Sequence, residues 1–307
     1  MTSADSDVRV EVGGRTLTLS NLDKVLYPRT GTTKGEVLHY YAQVAAVLLP
    51  HLADRAVTRI RWPNGTDEQS FFEKNVPAGT PRWVRTVRVP TTGSRSASGE
   101  AGELRFPVVD SLATLTWLGN LAALELHVHQ WTVDAKDRPV NPDRLVVDLD
   151  PGEPAGLQEC ARVALLVRER LAADGLQCAP VTSGSKGIHL YAALDRARSS
   201  DEVRDYARQV AEELAKEHKA LVVSEMAKAR RGGKVFLDWS QNVGAKTTIS
   251  PYSLRGRHRP YVAAPRTWEE IVAAADDPLA IDQLVLDEVL QRIGEHGDIF
   301  ARLLLPG

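Results

Sequence analysis

Residues 144–152, RLVVDLDPG, form an apolar run that ends in two acids, Asp148 and Asp150, separated by one leucine. Side chains alternate along a β-strand, so both carboxylates point to the same face of a sheet, with Cα atoms roughly 7 Å apart. Two like charges at this separation raise each other's pKa unless a cation lies between them. The pair therefore predicts a site for Mg²⁺ or Mn²⁺. The alternative is a solvated strand end at which Pro151 and Gly152 turn the chain.

The chain on either side of this strand alternates helices with strands. Helical patterns cover 32–52, the first part of 110–131, 157–175, 201–218 and 267–305. Strand patterns cover 8–20 (a hairpin), 56–62, the last part of 110–131, 178–183, 188–194, 220–226 and 234–242. The presence of hairpins as well as crossovers predicts the α+β class rather than a pure doubly wound sheet.

The composition narrows the functional class. The chain has 307 residues and a formal net charge of −2, so a basic surface has to come from local clustering. Cys160 and Cys178 are the only cysteines, too few for a disulfide framework or a cysteine zinc site, which favours a reducing, cytoplasmic setting. The first residues are polar, so no signal peptide is expected. The sequence contains no run of about 18 apolar residues, so no membrane span is expected.

A third carboxylate ends a second apolar strand, VFLDWSQN at 235–242. Asp238 follows that strand much as Asp148 and Asp150 follow theirs. A carboxylate from a neighbouring strand is what a two-metal site needs to place ions about 3.5–4 Å apart. The alternative is a strand-terminal aspartate that faces water.

A glycine turn, TSGSKGIHLY at 182–191, separates two predicted strands. Its backbone N–H groups can form an anion-binding nest, to which Lys186 adds a positive charge. Ser183 and Ser185 add hydroxyls, and His189 lies three residues beyond the lysine. The alternative is an ordinary glycine hairpin that contains an exposed lysine and a strand histidine.

Basic residues cluster locally despite the acidic total. The clusters are AKARRGGK at 227–234, SLRGRHRPY at 253–261, the pair Lys24 and Lys34, and FFEKN at 71–75, where two aromatics precede a lysine. Cationic residues beside a stacking aromatic are the elements of a nucleic-acid groove. Taken singly, each cluster also fits a solvated surface.

Several of these motifs, in this order, resemble a known family. DLDPG, SGSKGIHLY and FLDWSQN resemble the polymerase domain of bacterial ligase D, the non-homologous end-joining enzyme, within the archaeo-eukaryotic primase superfamily. The likeness extends from NLDKVLYP at 21–28 through LELHVHQW at 124–131 to SPYSLRGR at 250–257.

The resemblance implies a primase catalytic core, in which an RRM-like unit packs against a second small α/β unit with the active site in the cleft between them. It implies one domain over 1–307. We expect a portion with a 5′-phosphate pocket over about 1–130, a catalytic RRM-like portion over 131–265 and a helical tail over 266–307.

The implied activity is template-directed addition of nucleotides to a primer 3′ end, with two Mn²⁺ or Mg²⁺ ions and a preference for ribonucleotides. By the same resemblance, the catalytic and metal-binding residues are Asp148, Asp150 and Asp238. The nucleotide pocket is implied to contain His127, Ser183, Ser185, Lys186, His189, Gln241 and Arg255. Asn21, Lys24 and Lys34 match the pocket that binds a downstream 5′-phosphate, and Phe72 matches a residue that stacks on a base at the gap.

The implied partners are gapped or broken duplex DNA with a 5′-phosphate, nucleoside triphosphates, a DNA ligase acting in trans, and the end-binding protein Ku. A ligase in trans is expected because these 307 residues contain no ligase segment. The expected location is the cytoplasm, at the nucleoid and not at a membrane. Segment 91–103 lies where family members use a loop that brings DNA ends together, and its small polar residues favour gap filling in excision repair instead.

Two other functions fit the same residues. A non-catalytic module that binds 5′-phosphorylated gaps and recruits a ligase would not need the carboxylates for chemistry. A metal-dependent phosphohydrolase would use them, but would release inorganic phosphate without extending a primer.

Overall fold

The structure, a computed structural model, describes residues 7–91 and 102–301. Its helices are α1 Lys34–Leu52, α2 Leu112–Asn120, α3 Leu157–Ala173, α4 Ser200–Glu217, α5 Trp268–Asp276 and α6 Leu286–His296. Its strands are β1 Val8–Val12, β2 Arg15–Leu19, β3 Val25–Tyr27, β4 Thr32–Thr33, β5 Val57–Arg61, β6 Phe71–Glu73, β7 Thr86–Thr91, β8 Gly102–Pro107, β9 Ala123–Val128, β10 Trp131–Val133, β11 Pro139–Pro142, β12 Arg144–Pro151, β13 Cys178–Thr182, β14 Ile188–Ala193, β15 Val222–Val223, β16 Val235–Asp238, β17 Thr248–Ile249 and β18 Ala264–Pro265.

The larger sheet has six strands in the order β15-β16-β12-β14-β13-β18. From β12 the chain runs strand, helix, strand, strand, helix, then the two-residue strand β15 and finally β16. Apart from β15, this is the order of a ferredoxin-like unit. The strand that carries the two aspartates lies inside this sheet, between β16 and β14, and is antiparallel to both. The predicted α+β class is confirmed.

The two faces of β12 pack against different layers. Leu145, Val147 and Leu149 are buried among helices α3, α4 and α5. Val146, on the opposite face, is buried with Leu126 and other residues of the smaller sheet. Because side chains alternate, the acids at positions 148 and 150 share the face of Val146, at the end of this second interface.

The smaller sheet has the order β17-β9-β5-β6 and packs with α1 and α2. The predicted helical tail is two helices, α5 and α6, separated by a non-helical segment at 277–285. Positions 302–305 of that prediction lie outside the described residues. Leu286 and Val289 of α6 are buried in the same core as α1, whereas Ile271 and Ala274 of α5 are buried in the core of the larger sheet. The two tail helices therefore complete different cores.

Two long helices, α1 and α4, each begin at a capping box. Thr33 accepts a hydrogen bond from the backbone N–H of Glu36 at 3.2 Å, and the Glu36 carboxylate accepts from the N–H of Thr33 at 2.7 Å. Ser199 and Glu202 form the same reciprocal pair at the start of α4. These capping boxes satisfy backbone N–H groups that helix geometry leaves unpaired.

Segment 91–103 falls largely outside the described residues, which stop at 91 and resume at 102. The flanking strands β7 and β8 pair with each other as an antiparallel hairpin that the sequence patterns did not predict.

The N-terminal hairpin of β1 and β2 is confirmed. In the part of the chain that the structure describes, none of the helices combines the length and the apolarity needed to cross a bilayer.

Candidate active site

Three neighbouring strands bring His189, Asp148 and Asp238 into one row. Asp148 lies opposite His189 in the register of β12 with β14, and opposite Asp238 in the register of β12 with β16. Directly opposed side chains project to the same face, with Cβ atoms about 5 Å apart. Asp150 projects to this face as well, because it lies two residues further along β12. The three carboxylates singled out in the sequence are therefore neighbours on one face.

The electrostatic environment changes along β12. Burial opposes ionisation of Asp148, but its pKa is held below the ordinary value by His189, whose Nε2 lies 3.3 Å from Oδ1, and by the charge of Arg255. The side chain of Asp150 is 48% exposed and lies 3.0 Å from Arg231. Its pKa is nevertheless raised, by partial burial and then by the charge of Asp148. The negative charge of Asp150 is thus less well compensated than that of Asp148.

Asp238 is held by the short helical turn that follows it. Its Oδ1 accepts the backbone N–H of Ser240 at 3.0 Å and also the Ser240 hydroxyl, which itself accepts from Lys246. Its Oδ2 accepts from Nε2 of Gln241 at 3.1 Å, and the same Nε2 lies 3.4 Å from Oδ2 of Asp148. Gln241 therefore bridges the two facing carboxylates.

The donor set fits a divalent cation, since carboxylate oxygens are the ligands that Mg²⁺ and Mn²⁺ prefer. Among residues 7–91 and 102–301, however, no three His, Cys, Asp or Glu side chains are gathered in a metal-holding group. Hydrogen bonds occupy one oxygen of two of the carboxylates: Oδ2 of Asp150 accepts from Arg231, and Oδ1 of Asp238 accepts from Ser240. A cation bound through Oδ2 of Asp150 would have to displace Arg231 from that oxygen.

Three backbone N–H groups of the turn between β13 and β14 already donate to acceptors within the protein. The Ser183 hydroxyl oxygen accepts from the N–H of Ser185 at 3.3 Å and from that of Gly187 at 3.2 Å. The N–H of Gly184 donates to Gln283 at 2.7 Å. The prediction of an open nest of N–H groups is therefore wrong for these three, because each already has an acceptor. An anion would be bound mainly by side chains.

Cationic side chains surround this turn. Lys186 is exposed at its tip, with Nζ 3.4 Å from Glu153, and its charge acts to lower the pKa of Asp150. Arg257 donates to the Ser185 hydroxyl at 2.8 Å. The turn thus presents positive charge beside the carboxylate end of β12.

Gly187 fixes the turn against β12. A Cβ atom at this position would overlap the carbonyl oxygen of Leu149. Only glycine permits this close approach, which holds the GSKG segment beside the aspartate strand.

The opposite wall of the site belongs to the smaller sheet. His127 lies on β9, and its Nε2 is 2.7 Å from Oε2 of the buried Glu125. Arg255 donates to the same oxygen at 3.1 Å. Thr248, on the neighbouring strand β17, lies 3.4 Å from Oε1 of Gln241. These contacts connect the smaller sheet to the carboxylate row.

The three predicted 5′-phosphate residues lie together at the β3–β4 hairpin. The N–H of Lys34 donates to the carbonyl of Lys24 at 2.8 Å, and the N–H of Lys24 donates to that of Asn21 at 3.1 Å. The Lys24 side chain is exposed and donates to Asn64 at 3.0 Å. The Lys34 side chain is buried, and its ammonium donates to the Ser20 carbonyl at 2.6 Å.

Phe72 lies on β6, an edge strand of the smaller sheet. It is 56% exposed, and its neighbour Phe71 is 43% exposed. The Phe72 ring is therefore accessible from solvent.

Three residues of the site, Arg231, Arg257 and Glu125, lie in segments that the sequence analysis noted, but they were not predicted as site residues. Arg231 and Arg257 lie in basic clusters whose members cannot be ranked without the fold. Glu125 lies in an apolar strand two residues before His127, and that period-2 spacing was the signal available.

The sheet order and the carboxylates at the end of β12 define the class of protein: a primase-type catalytic core. Residues 33–300 match the family model described as "LigD, primase-polymerase domain". The chain belongs to this family, so it is a nucleotidyltransferase, and membership implies dependence on a metal.

Individual relatives support the family assignment. The chain is 50% identical over 292 residues to the multifunctional non-homologous end joining DNA repair protein LigD of Mycobacterium tuberculosis, covering 94% of this chain and 37% of that protein. It is 33% identical over 282 residues to the bifunctional non-homologous end joining protein LigD of Bacillus subtilis, covering 92% and 43%. The chain thus spans well under half the length of these relatives.

A solved structure shows the same fold. The polymerase domain of Mycobacterium tuberculosis ligase D in complex with DNA superposes with a TM-score of 0.87 at 50% identity, covering 94% of this chain and 98% of that one. The resemblance found in the sequence motifs is confirmed.

Proposed function

We propose that the chain adds nucleotides, ribonucleotides in preference, to a primer 3′ end at short gaps or broken ends of duplex DNA, directed by the template strand. The observation that supports this most directly is the row of Asp148 and Asp238 across β12 and β16, with Asp150 on the same face. This arrangement supplies three carboxylates at one end of the interface between the two sheets.

The three aspartates would hold two divalent cations, with Mn²⁺ favoured over Mg²⁺. When bound, such ions would lower the pKa of the attacking 3′-hydroxyl and stabilise the leaving pyrophosphate. The residues of the chain keep the carboxylates in place: His189 beside Asp148, and Ser240 and Gln241 beside Asp238. Asp150 supplies the more exposed ligand, nearer to solvent.

The triphosphate would bind at the GSKG turn. Lys186 and Arg257 bring positive charge to that turn, and Ser183 and Ser185 bring hydroxyls. Because three N–H groups of the turn are already bonded, we expect Lys186 to contribute a large part of the phosphate affinity. His127, Gln241 and Arg255 would complete the pocket from the side of the smaller sheet.

The DNA would contact the surface of the N-terminal portion. Asn21, Lys24 and Lys34 gather at one hairpin, where the exposed ammonium of Lys24 is suited to a phosphate monoester. The Lys34 ammonium, buried against the Ser20 carbonyl, would have to turn outward to join it. The exposed ring of Phe72 would stack on a base at the gap, since aromatic stacking is tolerant of sequence.

The reaction would serve DNA repair in the cytoplasm, at the nucleoid. Relatives named for non-homologous end joining support a role at broken ends. Gap filling in excision repair is the alternative role for the same chemistry. We propose a DNA ligase acting in trans and Ku as protein partners.

The deciding experiment is primer extension on a gapped duplex with Mn²⁺ and nucleoside triphosphates, with and without a 5′-phosphate at the gap. Extension that depends on Asp148 and is stronger with the 5′-phosphate is the expected result. Release of inorganic phosphate without extension favours the phosphohydrolase. Gap binding without either reaction favours the non-catalytic module.

A further inference from the structure

Glu125 is a buried carboxylate for which the proposed function has no assigned role. It lies on β9 and is only 6% exposed. Its Oε2 accepts from Nε2 of His127 at 2.7 Å and from Nη1 of Arg255 at 3.1 Å, and its Oε1 accepts the backbone N–H of Gly256 at 3.0 Å. All three donors belong to the two segments that form one wall of the proposed nucleotide pocket.

The carboxylate is ionised in this environment. Burial alone would raise the pKa of Glu125, but the hydrogen bond from His127, the charge of Arg255 and the N–H of Gly256 lower it to about 2. An ionised group in a buried site is costly unless its hydrogen bonds and its charge are matched. Here the matching partners are the pocket residues themselves.

The contact determines which nitrogen of His127 carries a hydrogen. An ionised carboxylate only accepts hydrogen bonds, so Nε2 has to be the donor. The other ring nitrogen, Nδ1, is then turned away from Glu125. A carboxylate that orients an imidazole in this way fixes both the ring plane and the tautomer.

The same carboxylate also orients Arg255. The charge of this arginine lowers the pKa of Glu125 on the smaller sheet and that of Asp148 on the larger sheet, so it acts on carboxylates from both. Its backbone carbonyl independently accepts from the hydroxyl of Tyr27 at 2.9 Å. Glu125 therefore determines where the guanidinium points, while the loop itself has a separate anchor.

We propose that Glu125 is a positioning residue that holds His127 and Arg255 in their binding orientation before a nucleotide arrives. This inference rests on the proposed function. A pocket ordered in advance improves affinity, because ligand binding does not have to order the side chains. Loss of Glu125 should therefore weaken nucleotide binding more than it slows the reaction of the bound nucleotide.

The test is the isosteric variant Glu125→Gln, which removes the charge and replaces one acceptor by a donor. The KM for the nucleotide in primer extension should rise about tenfold or more, while kcat changes by less than about threefold. The dissociation constant of a fluorescent nucleoside triphosphate, measured without DNA, should rise in parallel.

A matched control is Asp143→Asn. Asp143 accepts from Arg55 at 2.6 and 2.8 Å and from Arg196 at 2.8 Å, at the opposite end of β12 from the carboxylate row. This variant loses a comparable ion pair and should lower the melting temperature without changing the KM for the nucleotide. Glu125→Asp, which keeps the charge but withdraws it by one methylene, is the second variant if Glu125→Gln does not fold.

A double-mutant cycle separates positioning from general stability. In an Arg255→Ala background, Glu125→Gln should raise KM much less than in the wild-type protein, because one of its two targets is gone. Additive effects overturn the proposal, as does a wild-type KM in whichever Glu125 variant folds. Absence of extension by the wild-type protein overturns the proposed function, whereas extension with a normal KM in Glu125→Gln overturns only the positioning role.

Discussion

Asp148 and Asp238 lie directly opposite each other on the antiparallel strands β12 and β16, and one amide nitrogen, Nε2 of Gln241, lies within 3.4 Å of an oxygen of each. Like charges directly opposed on neighbouring strands destabilise a sheet. The fold nevertheless keeps this pair, and the proposed polymerase reaction gives the reason, because divalent cations would compensate both charges.

Asp238→Asn should abolish primer extension without unfolding the protein. Asparagine keeps the oxygen that accepts from Ser240 but removes one charge from the site. We expect a loss of activity of about 10³-fold or more, with a melting temperature equal to or above that of the wild-type protein. Asp201→Asn, on the exposed surface of α4, is the control and should keep full activity. Substantial extension by Asp238→Asn would show that this carboxylate is not catalytic.

Asp150→Asn should raise the melting temperature at neutral pH. The pKa of Asp150 is raised above its ordinary value in the folded protein, so the folded state binds this proton more tightly than the unfolded state. Its contribution to stability therefore falls as pH rises through these pKa values. The gain from the substitution should shrink as pH is lowered toward the ordinary pKa of 3.8. Thermal unfolding as a function of pH measures this, and a gain that grows in acid contradicts it.

Mn²⁺ should stabilise the wild-type protein against heat. A ligand at 100 times its dissociation constant adds about 2.7 kcal/mol to the free energy of unfolding. The rise in melting temperature should be reversed by a chelator. It should be much smaller in Asp150→Asn or Asp148→Asn, since each variant lacks one carboxylate ligand. Calorimetry without nucleotide or DNA is the measurement. Equal shifts in the wild-type protein and both variants would place the ion elsewhere.

Gly187→Ala should destabilise the protein and impair nucleotide binding together. The new Cβ would overlap the Leu149 carbonyl oxygen, so the turn has to move away from β12. We expect a loss of stability of about 3 kcal/mol. The control is Gly294→Ala inside α6, where the new Cβ would meet no heavy atom within 4 Å apart from its chain neighbours and the backbone of its own helix. This variant should stabilise the protein by up to about 1 kcal/mol. A Gly187→Ala protein with wild-type stability would refute the tight contact.

Lys24→Ala should weaken binding only to gaps that carry a 5′-phosphate. Its ammonium is exposed and donates to Asn64, so its removal should leave the fold intact. Loss of one charge-assisted hydrogen bond to phosphate corresponds to about a tenfold loss of affinity. The same duplex with a 5′-hydroxyl is the internal control. Equal losses on both substrates would remove Lys24 from a phosphate pocket.

Much of the carboxylate site could be predicted because it depends on the two-residue alternation of side chains along a β-strand. The alternation of a strand alone places Asp148 and Asp150 on one face, whatever the rest of the fold. The order of the motifs suggested that Asp238 joins them, but its alignment with Asp148 required the structure, because register depends on which strands pair.

What the sequence could not provide were the contacts made across long separations. Asp150 and Arg231 are 81 positions apart in the sequence, and only the fold shows that they form an ion pair. Glu125 was overlooked because its immediate neighbours Leu124 and Leu126 are apolar and its partner Arg255 is 130 positions away. The nest prediction is wrong for the N–H of Gly184 because its acceptor, Gln283, comes from a distant segment that the turn sequence does not reveal.

The measurement that tests the central claim most directly is extension of a primer across a short gap with a downstream 5′-phosphate, in Mn²⁺ and ribonucleoside triphosphates, by the wild-type protein and by Asp148→Asn. Templated addition by the wild-type protein and none by the variant is the predicted result. Equal product from both proteins, or no product from either while both remain folded and bind the DNA, would contradict a carboxylate-centred polymerase.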